Sequence, residues 1–460
     1  MVLPGTFSSA IREAVGAEHV RADDAALTIY GQDALGQGHP PDLIVIPGTT
    51  QEVSAIARLC SLHKVPLVVR GAGTGYTGGA VPTHGGLVMS MERLNRILTI
   101  DQANLLAVVE PCVITAHLQR TVEAVGLFYP PDPASLETSS IGGNVAECAG
   151  GPRAFKYGTT RRYVLALEAV LPDGEIIHTG SKAVKNVVGY DLTQLLVGSE
   201  GTLAIITKIT LRLIPLPPAR KTLRAVFGTI DAAVGAVTAL IERRVVPAAI
   251  ELIDAESLRA VQDELGEQLA PAGTGAMLIV ESDGMPAAID DEIDRVGQAC
   301  RSAGAMHVAV AATEEERERL WSARRLISLA LRATGLLKIN HDVVVPRGRV
   351  PQLFEVVALL RQDFKLRIAA FGHAGDGNIH VNLLVDPADR DERIRARRAE
   401  RVLFERVVAL EGSITGEHGI GFSKAPYLAI ELSPEEIALM KRVKAAFDPN
   451  GILNPGKIFP

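Results

Sequence analysis

The segment FGHAGDGNIHVN, residues 371–382, holds two histidines seven positions apart. On one straight strand an odd spacing puts two side chains on opposite faces. Between them, however, lies Asp376-Gly377, a strong two-residue hairpin signal. Centring the turn there predicts that Gly375 pairs with Asn378, Ala374 with Ile379 and His373 with His380. The two imidazoles then stand directly opposite on one face, roughly 5 Å apart at Cβ. Phe371 and Asn382 share that face. Two neutral imidazoles so placed form two thirds of a metal site. Glu417, in the glycine-flanked TGEHGIG of residues 415–421, is a candidate third ligand. The same histidines also suit hydrogen-bonded sheet positions, so a metal centre and plain sheet packing both stay open.

A second chemical signal is VVRGAGTGYTGGAVPTHGGLVMSME, residues 68–92. It contains G-x-G-x-x-G spellings, and Glu92 sits where a dinucleotide fold would carry its ribose ligand. That fold needs a helix immediately after the loop. Here residues 71, 73, 75, 78, 79, 85 and 86 are glycine and residue 82 is proline. Each interior glycine costs a helix about 1 kcal/mol and a proline about 3 kcal/mol. The segment must therefore be loop, and the position of Glu92 is a coincidence of spacing. Successive side-chain-free amides can still cradle an anion, with Arg70 at the rim. SSIGGNVAECAGG (139–151) and GSEGTLAII (198–206) add two more glycine-rich loops. Three such loops point to a long cofactor approached by backbone at several places.

The elements that position these loops can be read from periodicity. LIVIP (43–47), a helical pattern over TQEVSAIARLCSLHKV and a strand PLVVR make one βαβ unit. Strands follow at LVMSM and LLAVVEP, then a helix from about Thr115 to Val125, then strands near LALEAVLPDGEII and LAIITKITLRLIP. LIPLPPARK (213–221) is the best boundary, because its clustered prolines cannot sit inside an element. Beyond it, strand, helix and strand recur twice, which suggests a ferredoxin-like sheet with helices on one face. A long helix over about 313–332, the strand DVVVP, another helix and the 366–385 hairpin complete this part. In the last fifty residues Ser433 and Pro434 open a helix that stops before Pro449.

Composition bounds the function. The chain has 460 residues, 47% hydrophobic and 22% charged, with a net charge of −6, which fits a multi-domain globular enzyme and argues against nucleic acid as partner. The basic run at 391–406 alternates with acids and reads as a solvated helix face. The N-terminus lacks the pattern of a secretory signal, and no window of 18 apolar residues spans a membrane. The four cysteines are scattered, without C-x-x-C, so thiolate-bound iron–sulfur or zinc is not expected and a cytoplasmic protein is.

Six ordered segments carry a family resemblance. RGAGTGYTGGA, PPDPASLETSSIGGNVAECAGGPRAFKYG, VGYDLTQLLVGSEGTLAIIT, GHAGDGNIHVN, GEHGIG and FDPNGILNPGK resemble the FAD-linked 2-hydroxyacid dehydrogenases. These include the FAD subunit of glycolate oxidase, D-lactate dehydrogenase and D-2-hydroxyglutarate dehydrogenase, flavoproteins of the vanillyl-alcohol-oxidase (PCMH) type. The resemblance covers nearly the whole chain. It implies an α+β protein: a PCMH-type FAD-binding domain of two α/β subdomains (1–214), a ferredoxin-like cap over the isoalloxazine (215–411), and a C-terminal segment (412–460) returning to the FAD domain. It implies that Arg70, Gly71, Gly73, Thr74, Gly75, Tyr76, Thr77, Gly78 and Gly79 hold the pyrophosphate. Pro131, Ser135, Ser140, Gly142, Gly143, Asn144, Gly150, Glu200, Gly201, Ile206 and Asn454 would serve the rest of the FAD. No histidine stands at an obvious attachment point, so the flavin is expected to be non-covalent. By the same resemblance His373, His380 and Glu417 would hold a divalent metal, zinc or manganese, and His418 would be the base.

Such an enzyme removes a hydroxyl proton and a hydride from one carbon. The resemblance assigns the substrate carboxylate to Arg324, with Arg325 as the neighbour to be told apart from it. Lys338 and Asn382 are further candidates for the pocket. His341 stands where the glycolate-oxidase-like pattern usually has Glu, so the substrate's side-chain pocket departs from that pattern. Trp321, Arg332 and His341 otherwise read as packing or helix surface. The expectation is an FAD-dependent dehydrogenase of a small D-2-hydroxy acid, glycolate or D-lactate, with D-2-hydroxyglutarate as alternative. Without iron–sulfur cysteines it would pass electrons to a quinone, a cytochrome or an iron–sulfur partner subunit. It could dock on a membrane through that partner, or form a homodimer. From a different class, a metal-dependent hydrolase or lyase using His373, His380 and Glu417 is the competing reading. A flavin enzyme resembling alkyl-dihydroxyacetonephosphate synthase and a non-catalytic flavin-binding subunit are further alternatives. The low aromatic content, 4%, and the intact histidine motifs speak against these two.

Overall fold

The computed structural model of the chain describes residues 3–459. The chain forms two units. The first comprises Met1–Gly150, Thr159–Leu216 and Glu417–Pro460, and the second Gly151–Gly158 and Pro217–Gly416.

The first unit contains a two-stranded ribbon, which pairs Leu127–Phe128 with Ile214–Pro215, and two larger sheets. In the smaller, strand Leu43–Val45 and strand Leu67–Arg70 flank strand Leu87–Ser90 in parallel, with Val20–Arg21 antiparallel at the edge. The connecting helix Thr50–His63 starts because the Thr49 side chain accepts the Glu52 amide, satisfying an otherwise orphaned donor. Its buried Val53, Ile56, Ala57 and Cys60 follow the helical repeat and pack on Leu43, Leu67 and Leu87. No helix follows Arg70. Residues 71–86 are loop up to the next strand, as their glycine content requires. The larger sheet is antiparallel, in the order Ile97–Asp101, Leu106–Val109, Ile205–Arg212, Val164–Val170, Ile176–Gly180.

The C-terminal segment belongs to this unit. Helix Pro434–Phe447 opens with a capping box between Ser433 and Glu436. After it, the buried Asp448 carboxylate accepts the Ile452 and Leu453 amides at 3.1 and 2.8 Å and an ion pair from Lys444. Leu453 then pairs in parallel with Leu67, beside the strand that leads into the glycine loop.

The second unit is built on one antiparallel sheet of seven strands. Their order is His307–Val310, Ala219–Phe227, Ala276–Gly284, Ala249–Asp254, Arg367–His373, Asn378–Val385, Leu337–Val344. Where the sequence suggests helices on one face, both faces are covered. Every residue of strands Ala249–Asp254 and Asn378–Val385 is buried. Alternate residues, among them Ala249, Ile253, Met277, Ile279, Phe371 and Leu384, pack against helices Ala255–Leu265 and Glu314–Ala333. The intervening positions are buried on the other side, which is how an antiparallel sheet loses its solvated face.

The hairpin register differs from the one the sequence predicts. His373 pairs with Asn378 and Phe371 with His380. The turn has four residues, 374–377, closed by the Asp376 and Gly377 amides on the His373 carbonyl. The Asp-Gly pair is therefore the end of a longer turn, not its centre. The shift is two residues, and two is the period of a strand, so each side chain keeps its face.

Candidate functional site

In the first unit the three glycine loops meet the GEHGIG loop. A Cβ on Gly71 would collide with the Ser140 hydroxyl, and one on Gly142 would lie 2.5 Å from Pro111 Cβ. Ser140 is itself committed, capping helix Ile141–Glu147 by accepting the Gly143 amide at 3.3 Å. Gly73 and Gly78 take positive φ, 69° and 80°, where a side chain is strained. Asn144 donates to Thr115 Oγ1 at 2.7 Å, and the Pro131 carbonyl accepts from Gln119. Asn454 ties two loops by donating to the Gly79 and Glu200 carbonyls at 2.9 and 2.8 Å.

His418 is held on this cradle. Thr77 Oγ1 donates to the His418 carbonyl at 3.1 Å, and the Phe422 and Ser423 amides bond back to the Thr77 carbonyl. The imidazole lies 5.3 Å from the Tyr76 ring. Glu200 fastens the far side of the loop, accepting the Ile420 and Gly421 amides at 2.8 and 2.7 Å. Burial pushes the Glu200 carboxyl up in spite of those amides.

Sequence reasoning missed Glu147, Asp33 and Lys457. Glu147 lies at the end of the capped helix, and its Oε2 has no partner among the described residues. Burial, with Glu200 and Asp33 nearby, drives its carboxyl well above the ordinary range. Burial raises Asp33 to about 6 and lowers Lys457 to about 8. The wall is bare backbone with a buried hydrogen-bonding group left over, which fits an extended cofactor with polar edges.

In the second unit the other candidates share one sheet face. Strand pairing places Glu251, His373 and Asn378 in one row, and Ile253, Phe371, His380 and Asp342 in the next. Asn382 and Asn340 form a third row, and Lys338 and Leu384 a fourth. The His373 and His380 rings lie 5.3 Å apart, edge to face, and His380 also touches Phe371 at 5.2 Å. Glu251, absent from the sequence reading, is the centre of this face. One oxygen meets His373 Nδ1 at 2.6 Å and the other accepts Arg324 Nε at 2.5 Å. Burial opposes its ionisation, but Arg324 and His373 outweigh that and hold it at about 2.

Arg324 reaches the sheet because it lies on the buried stripe of its helix with Trp321, Ile327 and Leu331. Its guanidinium stacks 4.7 Å from the Phe371 centroid, and Nη2 has no partner among the described residues. Arg325 points elsewhere, to Glu318 and Ser322. Asn382 holds backbone, donating to the Ala369 and His380 carbonyls. Lys338 bonds Ser328, and burial lowers it to about 7, helped by Arg332. His341 faces the opposite side, against Phe404. Trp321 donates to Glu281 at 2.8 Å within the core. Asp342 accepts Asn378 Nδ2 at 2.6 Å and the Gly416 amide at 3.0 Å.

Residues 41–180 match the FAD binding domain and residues 216–458 the C-terminal domain of FAD linked oxidases. The chain belongs to the FAD-linked oxidases, flavoenzymes in which the cofactor carries the redox chemistry. It is 44% identical to glycolate oxidase subunit GlcD of Bacillus subtilis, over 96% of this chain and 94% of that one. It is 37% identical to a D-lactate dehydrogenase of Anaerostipes hadrus, over 94% and 91%. Among solved structures, p-cresol methylhydroxylase superposes with a TM-score of 0.82 over 99% of this chain and 97% of that one, at 18% identity. An alkyldihydroxyacetonephosphate synthase gives 0.78 over 99% and 86%, at 20% identity. These two establish the PCMH-type fold alone. The FAD-binding match leaves the hydrolase alternative without support.

Proposed function

We propose that this protein oxidises a small D-2-hydroxy acid, glycolate or D-lactate, to the 2-oxo acid, with non-covalent FAD in the glycine cradle of the first unit. One observation carries the reading. In a chain with an FAD-binding domain, one sheet face of the second unit gathers His373, His380 and a buried arginine with an unoccupied donor.

Bound FAD supplies the acceptor for the hydride that leaves the substrate carbon. A divalent ion, zinc or manganese, held by His373, His380 and Glu417 would lower the pKa of the substrate hydroxyl. The donor set suits such an ion. Glu251 bonds His373 Nδ1, the kind of carboxylate partner that a metal-ligating imidazole ordinarily has on its other nitrogen. Glu417 directly follows Gly416, whose amide is bonded to Asp342 in the row of His380.

The chain's own groups do the rest. Arg324 Nη2 takes the substrate carboxylate, a charge-assisted bond in a water-poor setting. Lys338, on the same face, adds positive charge below its lowered pKa. His418 receives the hydroxyl proton, its ring held against Tyr76. Electrons leave through a separate acceptor, because the four cysteines are free and dispersed. The relative's description as a subunit supports a partner protein in that role.

The test is anaerobic mixing of the purified protein with glycolate, D-lactate, L-lactate and D-2-hydroxyglutarate in turn, following the visible flavin band. Bleaching by glycolate or D-lactate, abolished by a chelator and restored by zinc or manganese, supports the whole reading. Bleaching by D-2-hydroxyglutarate alone moves the substrate assignment. A flavin that none of the four reduces overturns it.

A further inference from the structure

We propose that Glu251 is a positioning residue that fixes both the tautomer of His373 and the aim of Arg324, so that one carboxylate prepares a metal-binding nitrogen and an anion-binding guanidinium together. This rests on the functional reading above.

Glu251 sits mid-strand with no exposed surface, directly across from His373. An ionised carboxylate only accepts hydrogen bonds. At 2.6 Å from Oε1, His373 Nδ1 must therefore carry the hydrogen. In the neutral Nδ1–H tautomer the lone pair lies at Nε2, the geometry found where a carboxylate orients a metal-ligating imidazole. The other oxygen is 2.5 Å from Arg324 Nε.

A purely structural arginine–carboxylate pair engages the guanidinium fork through two parallel bonds. Here the second oxygen is spent on His373, so the fork is engaged at Nε only. Nη2 stays buried without a partner among the described residues. Phe371 stacks under the guanidinium at 4.7 Å and stops it from turning away. A buried donor held without an acceptor is costly, and its persistence marks a place for an anion. Sequence signals for Glu251 were local. It is the one acid within AAIELI, in a strand buried at every position, where an acid needs partners.

The experiment compares the FAD-loaded wild type with Glu251→Gln. Glutamine keeps the shape but has one acceptor oxygen and one donor amide. If the amide faces His373, Nδ1 must accept and Nε2 carries the hydrogen. If it faces Arg324, donor meets donor. Three readouts are taken: ¹⁵N shifts of the His373 ring, identified by their loss in His373→Ala; zinc affinity by calorimetry; and affinity for oxalate, an unreactive dianion, from the flavin spectrum. The expected wild-type result is the Nδ1–H form. In Glu251→Gln zinc or oxalate affinity falls, in the range of about 10–100-fold. Glu251→Asp, which keeps two acceptors, recovers part of the loss.

Unchanged zinc and oxalate affinity in a folded Glu251→Gln overturns the proposal. So does an Nε2–H form of His373 in the wild type, a result that needs no variant to fold. A wild type that binds neither zinc nor oxalate, yet shows Nδ1–H lost in Glu251→Gln, supports the positioning while sinking the functional reading.

Discussion

Gly71 offers a quantitative test of the cofactor cradle, because its constraint is steric and has one owner. A Cβ at this position would strike Ser140 Oγ, whereas Ser140 Cβ would lie at 3.6 Å and the Gly143 amide at 3.7 Å, both ordinary contacts. Gly71 has no positive φ, so backbone strain adds nothing. Gly71→Ala should then cost what overpacking costs, about 1–3 kcal/mol. Ser140→Ala removes a helix cap, about 1 kcal/mol. If the sites were independent, the double variant would lose about 2–4 kcal/mol. Removing the hydroxyl also removes the obstacle, so the double variant should lose only about 1 kcal/mol, a coupling of about 1–3 kcal/mol between neighbours. Urea unfolding of the four proteins measures this, and FAD titration by flavin fluorescence checks the site. Gly71→Ala should weaken FAD by about tenfold or more, at about 1.4 kcal/mol per decade, and the double variant should recover part of it. Costs that add to within about 0.5 kcal/mol would refute the reasoning.

Lys338, lowered to about 7 by burial and Arg332, is charged below that pH. KM for the hydroxy acid should therefore rise as pH climbs through 7, and Lys338→Met should flatten the profile. Glu147 has its carboxyl pushed far up by burial and Glu200, so the folded protein keeps a proton that the unfolded chain releases. Stability is then full below the ordinary glutamate range and declines as pH rises toward the folded pKa. Glu147→Gln should remove that slope in melting scans run between about pH 5 and pH 8; an unchanged slope would exclude Glu147 as its source. Asp448→Ala leaves the Ile452 and Leu453 amides without their acceptor, about 1–3 kcal/mol each. The melting temperature should drop on the order of 10 °C, and a change within about 1 °C would show that the carboxylate is dispensable.

Much of this was legible from spacing. The glycines of residues 71–86 ruled out a helix whatever the context, because backbone cost is local. The N-cap at Ser433 with Pro434 after it, and the long helix at Glu314–Ala333, are equally local. Register was less legible. Asp376-Gly377 reads as a two-residue turn, and only the paired strands show that it closes a four-residue one. The error was harmless to the site because it was even. What the sequence hid was long-range pairing of charges. Glu251 lies 73 residues from Arg324 and 122 from His373, and nothing in a linear pattern joins them. Glu92, dismissed as a ribose ligand, receives the Tyr30 hydroxyl at 2.7 Å, another contact set by folding rather than spacing.

The first unit is interrupted in the chain, with Glu417–Pro460 separated from the rest by the second unit. During synthesis the strand Leu67–Arg70 is made long before its neighbour Leu453. About 380 residues must be translated in between, which at about 5–20 residues per second is roughly 20–75 s. Through that interval the ribosome carries a cradle without its Asn454 tie and without the loop bearing His418. A chain stalled before Glu417 therefore lacks both the hydrogen bond from Asn454 to the Gly79 carbonyl and the one from Thr77 to the His418 carbonyl.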